Sequence, residues 1–421
     1  MSTHLLDSYR PNAFTDAVLG LTVAPDRVDQ QTIVSRAMID SFEGAIFDEY
    51  GYGLSQVFEP SVLWEVCRFE GLDHDDVEAL RTPTTEPVAA LRWLIDHLDH
   101  ATTLQRINLA NALLSVARCR LAGDVLASID VDRIDARQRY EVAMASFILS
   151  NRADGGRDSA GCFQRMREAI EAGAVPADEV LDASAHAIVW YLKTGEVDAA
   201  LLRWFVKAGL DAARQGVSPV ARSSWYRAYA MIPAERRDAA QTRAVMERAH
   251  DDAKAAIAAC DDAGTHNLLK TYLESSLKEY LYVHRDLDAA KQMGLSLIKL
   301  DPEWAPSYGE LADVYEKAGD HATVAQLLER ALDLGAPYRL FHAYRLAHAR
   351  GRLGDHDGAL GLLAEILEID PTAVSACLVG YKQARAIGHA TAPRFAEALT
   401  ALEPTLAPAH RDYLEAPHVG Y

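Results

Sequence analysis

The chain has 421 residues, 49% of them hydrophobic, and its 61 acidic against 42 basic side chains leave a net charge of −19. An acidic body argues against a nucleic-acid partner, because affinity for a polyanion comes from Lys and Arg neutralising phosphates. No apolar run is long enough to span a bilayer, and the amino terminus lacks the basic-then-apolar order of a secretory signal, so a cytoplasmic protein without a membrane partner is expected.

Charge marks off the amino-terminal module, expected over residues 1–87. Residues 1–100 hold 18 Asp and Glu against 6 Arg, and the first lysine of the chain is Lys193. Tyr50, Tyr52, Phe58 and Trp64 concentrate aromatic rings there, a composition that suits a core more than a ligand pocket. Gly51-Tyr52-Gly53 starts like a dinucleotide loop, but Gln56 stands where a third glycine is needed. His74 lies among Asp73, Asp75 and Asp76, while His97 and His100 are spaced to share one helix face. With neighbouring carboxylates these three histidines form a candidate oxygen and nitrogen metal site. The alternative, which the pattern favours, is acids at a helix start and histidines in a helix's last turn, each suited to the helix dipole.

The stretch Arg81 to Pro87 is rich in Pro and Thr and reads as a linker. Beyond it, residues 88–270 are expected to form an irregular helical array. Apolar periodicity predicts helices over Leu104 to Cys119, Asp135 to Ser150, Gly161 to Ala172, Ser223 to Met231, Asp238 to Cys260 and Asn267 to Val283. Leu181 to Tyr191, a turn at Gly195, and Ala199, Ala200 and Trp204 form one looser helix–turn–helix unit. Gln215 to Pro219 reads as a break. The 71 alanines of the chain suit closely packed helices, and the fold class expected is all-α. Five scattered cysteines, Cys67, Cys119, Cys162, Cys260 and Cys377, suggest neither a zinc ribbon nor a disulfide framework.

A repeat emerges in the last third. Leu300-Asp301-Pro302 returns as Ile369-Asp370-Pro371, and Lys317 to His321 returns as Arg352 to His356. Within one unit, Tyr308, Leu311, Ala312 and Tyr315 share a helical face before Gly319 breaks the helix. Val324, Leu327, Leu328, Ala331 and Leu332 line the next. Glycine suits the left-handed residue that ends a helix, and Asp320 can cap the one that follows.

On these residues, 271–404 resembles the tetratricopeptide repeat, a 34-residue helix–turn–helix unit. Its pattern is met by Tyr308, Leu311, Ala312, Tyr315, Gly319 and Ala331, then by Leu346, Ala347, Gly354, Ala359, Leu363 and Pro371. Leu277, Ala290 and Pro302 meet it upstream, and Gly388 and Pro404 downstream. The resemblance implies a right-handed solenoid of paired helices, preceded by the irregular helical module and followed by an extended tail over 405–421.

The same resemblance implies a concave groove lined by the first helix of each repeat. Carried onto this sequence, it presents the acids Glu310, Asp313 and Glu316 beside Lys317 on one side, and is basic-aromatic at Phe341, Tyr344, Arg345, His348, Arg352, Lys382 and Arg385. Arg forks and aromatic faces suit a protein or peptide with an acidic segment. The expected function is that of a non-catalytic adaptor or scaffold without a cofactor. The alternative is a helical metal-dependent enzyme or pathway component with its site in the acidic module. The chain has no P-loop, His-Glu-x-x-His or Gly-x-Ser-x-Gly motif.

Overall fold

The building block is a turn of fixed geometry. At Gly319 the backbone enters the left-handed region (φ 76°) and the amide of Asp320 reaches back to the Tyr315 carbonyl at 3.0 Å. This closure satisfies a carbonyl left open at the helix end. The Asp320 carboxylate then accepts from the Thr323 amide at 3.1 Å and caps the next helix. Gly354 (φ 85°) and Asp355 repeat the arrangement, with Asp355 bonded to the Arg350 carbonyl and to the Gly358 amide.

The computed structural model describes residues 98–416, apart from 116–118, 154–157, 196–197, 260–262, 303, 335–337, 370 and 372. The described residues fall into two units, one ending at Asp286 and the other starting at Leu287. All regular elements among them are helices. The fold is a helical-repeat array of the tetratricopeptide type, as the sequence pattern implies.

In the first unit, α1 (Thr103–Ser115) packs on α2 (Cys119–Ala127), α3 (Ala136–Ala153) on α4 (Ser159–Glu171), and α5 (Ala177–Thr194) on α6 (Ala199–Ala212). The pair α7 (Pro219–Glu235) and α8 (Ala239–Ala259) follows, then α9 (Ala263–Lys278), which passes directly into a π-helical turn over Glu279–His284. The break expected at Gln215 to Pro219 is a tight turn within this unit. Val217 is buried there, and Pro219 occupies the first position of α7, where its missing N–H costs nothing.

Close packing at the centre of this unit depends on Gly209 of α6. The indole of Trp225 donates to Ser184 Oγ at 3.0 Å, and that hydroxyl donates to the Phe205 carbonyl at 2.8 Å. A Cβ on Gly209 would lie 2.3 Å from the indole nitrogen. Three helices therefore meet over a residue with no side chain.

In the second unit, α10 (Leu287–Leu300) is followed by the pairs α11 (Ala305–Lys317) with α12 (His321–Leu334), α13 (Arg339–Arg352) with α14 (His356–Ile369), and α15 (Val374–Ile387) with α16 (Ala392–Leu402). Burial follows the predicted faces: Leu311 and Ala312 on α11, then Val324, Leu328 and Ala331 on α12, are removed from solvent. Phe395 fills the space above Gly380, where an added Cβ would lie 2.2 Å from its ring.

Two expected boundaries differ in the structure. The division at 270/271 falls inside α9, which already starts at Ala263; the described residues divide at Asp286 instead. The stretch from 405, expected to be an extended tail, holds α17 (Pro408–Glu415). Pro408 starts that helix at a position where proline is tolerated.

Candidate functional site: the first-helix groove of the second unit

Helices α11, α13 and α15 are the first helices of successive repeats. Phe341, Tyr344, Arg345, His348 and Arg352 recur at three- and four-residue spacing along α13 and so share one side of it. Phe341 is 55% exposed, and the Arg345 guanidinium lies 5.6 Å from its ring centroid. Tyr344 and His348 are half-buried and meet edge to face, with ring centroids 4.7 Å apart. Burial raises the Tyr344 hydroxyl pKa, with Tyr413 adding to the shift, and burial lowers the His348 imidazole pKa.

The acidic and basic sides of the predicted groove bind each other. Arg345 forms an ion pair with Asp313 and a second with Glu316 at 3.2 Å, and donates to the Gly309 carbonyl at 3.0 Å. Its side chain is only 12% exposed. Sequence reasoning placed Arg345 facing a ligand; the structure commits it to the neighbouring first helix, because α11 and α13 lie close enough for adjacent repeats to neutralise one another. Lys382 is also engaged within the chain, donating to the carbonyls of Tyr413 at 2.5 Å and Ala416 at 2.7 Å. Of the seven predicted partner-binding residues, Phe341, Arg352 and Arg385 are exposed. Arg385 donates to the Tyr381 hydroxyl of its own helix at 2.9 Å.

Beneath this face, His342 is buried against α11. A Cβ on Gly309 would come within 2.6 Å of its Nε2. Burial, helped by the charge of Arg345, pushes the imidazole down to about 4, so it is neutral at pH 7.

The first unit holds two features that no motif announced. One is the buried ion pair of Arg243 with Glu279 at 3.0 Å, with His284 on the same carboxylate at 3.1 Å and the Tyr272 and Tyr280 hydroxyls on Arg243. Burial raises the Glu279 pKa, while Arg243 and His284 oppose that shift. The π turn carries Glu279 into this position. The other is an open cavity of about 720 Å³ lined by Leu126, Ile129, Val142, Arg139, Arg165 and Glu168 among others. Periodicity could not disclose it, because it lies between helices rather than along one.

His74 and His97 lie outside the described residues. His100 ends a short 3₁₀ turn over Leu98–His100, and its side chain also lies outside the description. Among the described residues, no group of His, Cys, Asp or Glu is arranged to hold a metal, and no helix is long and apolar enough to cross a membrane.

The chain is similar in fold to yeast Tom70, at 14% identity, with a TM-score of 0.51 over 95% of this chain and 82% of that one. A human IFIT1 dimer with m7Gppp-AAAA shows 10% identity and a TM-score of 0.46 over 95% of this chain and 99% of that one. No family model matches the sequence, and no curated protein matches it.

Proposed function

We propose that the chain binds a protein or peptide partner along the first-helix face of its second unit and performs no catalysis of its own. The observation that carries this reading is the surface of α13. A largely exposed phenylalanine stands beside a half-buried tyrosine–histidine pair, with Arg352 one turn further on. A phenyl ring exposed next to aromatic and cationic groups suits the apolar and polar parts of a peptide. With Arg345 and Lys382 both engaged within the chain, Arg352 and Arg385 are the exposed cations of the basic-aromatic strip, so the acidic part of the bound segment is small and its apolar part decides affinity.

The test is site-specific photo-crosslinking in the native cell. A benzophenone side chain at Phe341 should capture a partner that the same group at Leu295, exposed on α10, does not. Purified partner should then lose at least ten-fold in affinity for the variant F341E/R352E/R385E while the far-ultraviolet helix signal is unchanged. Equal capture at both positions would discard the groove.

A further inference from the structure

We infer that α17 is a resident occupant of this groove, and that the partner is a short amphipathic helix, ending in an aromatic residue followed by leucine, that displaces it. This rests on the groove reading of the preceding section and names both the partner chemistry and the regulation of the site.

Three contacts carry the inference. Lys382, a groove residue on α15, donates to the Tyr413 carbonyl in the last turn of α17 and to that of Ala416 just beyond it, and so closes a helix end whose carbonyls have no intrahelical partner. The ammonium also lies 4.4 Å from the Tyr413 ring centroid. Burial raises the Tyr344 hydroxyl pKa on α13, and Tyr413 adds to that shift. Leu414 packs against the core cluster that contains Leu340, Ala343 and Phe395. The groove therefore holds a helix through an aromatic ring, a leucine and a cation at the helix's carboxy-terminal end, which is the complement of the helix dipole. Two of the residues used, Tyr344 and Lys382, belong to the set that the repeat pattern assigns to partner binding.

The seat is shallow. None of the residues of α17 is buried, and Tyr413 keeps 38% of its surface exposed. A helix of eight residues is not stable by itself in water, so α17 exists through these few contacts and is lost when they are lost. A partner helix that offers the same ring, leucine and terminal carbonyls but buries more surface competes on favourable terms. Its apparent affinity is reduced by the fraction of chains in which α17 is seated.

The probe is a fluorescent, hydrocarbon-stapled peptide with the sequence of residues 404–416, so that helix formation is not limiting. Its binding to the full-length chain is measured by anisotropy. The variant Y413A/L414A, which unseats α17 without altering the groove, should bind the peptide at least ten-fold more tightly than the wild type. Adding K382M should remove at least five-fold of that gain. Hydrogen exchange at 408–415 should accelerate at least five-fold in K382M alone. Equal peptide affinity for wild type and Y413A/L414A, no binding to the variant, or unchanged exchange in K382M would each overturn the inference. A partner still captured at Phe341 alongside such a result leaves the groove in place and removes α17 from it; loss of capture at Phe341 removes the groove itself.

Discussion

Arg345 on α13 and Asp313 on α11 form an ion pair that joins two successive first helices, with Glu316 one turn beyond Asp313 bound to the same guanidinium. Changing Arg345 to Ala leaves two carboxylates facing each other at a partly buried site. The expected cost is about 1–2 kcal/mol, between that of an exposed and that of a buried pair. Urea unfolding should show it as a lower midpoint, and D313N in the same chain should recover part of the loss. An R345A midpoint equal to wild type would mean that the pair holds nothing together.

Gly209 should tolerate no side chain. Alanine there would sit 2.3 Å from the Trp225 indole nitrogen and 2.5 Å from Ser184 Oγ, and neither group can withdraw without giving up a buried hydrogen bond. G209A should therefore destabilise the chain by about 2–3 kcal/mol, in the range of overpacked cores, and thermal unfolding reads the effect directly. Trp225 fluorescence should shift to the red as the ring is displaced.

His342 makes stability fall in mild acid. Its folded pKa is about 4, against about 6.5 for an unperturbed imidazole. Between these values the unfolded chain binds a proton that the folded chain refuses, so stability is complete above about 6.5 and is lost as pH falls toward 4. The downward shifts of His250 and His348 act in the same direction. Between pH 7.5 and 4.5, H342Q should lose about 2–3 kcal/mol less than wild type, as read from urea midpoints at the two pH values. Parallel losses in both chains would sink this account.

Arg237 and Arg285 both adopt φ 58°, the left-handed region in which a side chain is strained. Both sit at the turn position that Gly319 and Gly354 fill elsewhere. R237G and R285G should each stabilise the protein by about 0.5–1 kcal/mol, since relief of the backbone exceeds the added freedom of the unfolded glycine. A fall in melting temperature in both would show that the arginine side chains hold contacts worth more than the strain.

These arginines also explain what the sequence could disclose. Gly195, Gly319, Gly354 and Gly388 were legible as turn residues because glycine advertises the conformation it permits, and all four have positive φ. Arg237 and Arg285 do the same geometric work without the signal, so the turn at each was not legible. At the second of them the π turn adds a residue, so the closing bond runs from Asp286 to the Tyr280 carbonyl, one residue longer than at Asp320. The spacing that puts Phe341 and Tyr344 on one side of α13 was legible from the repeat. The partners of Arg345 and Lys382 were not, because a pattern within one repeat does not state which side chains of the next repeat, or of a following helix, come within reach.

On the proposed binding face, the neutralisation of Arg345 also bears on how a partner would arrive. With net charge −19 on the chain and that guanidinium already spent on Asp313 and Glu316, an approaching acidic segment meets repulsion until it is within about a Debye length of Arg352 or Arg385. Association of such a segment should quicken as salt is added, whereas a cationic or neutral one should slow or stay constant. The ionic-strength dependence of the on-rate thus reports the sign of the partner's charge before its identity is known.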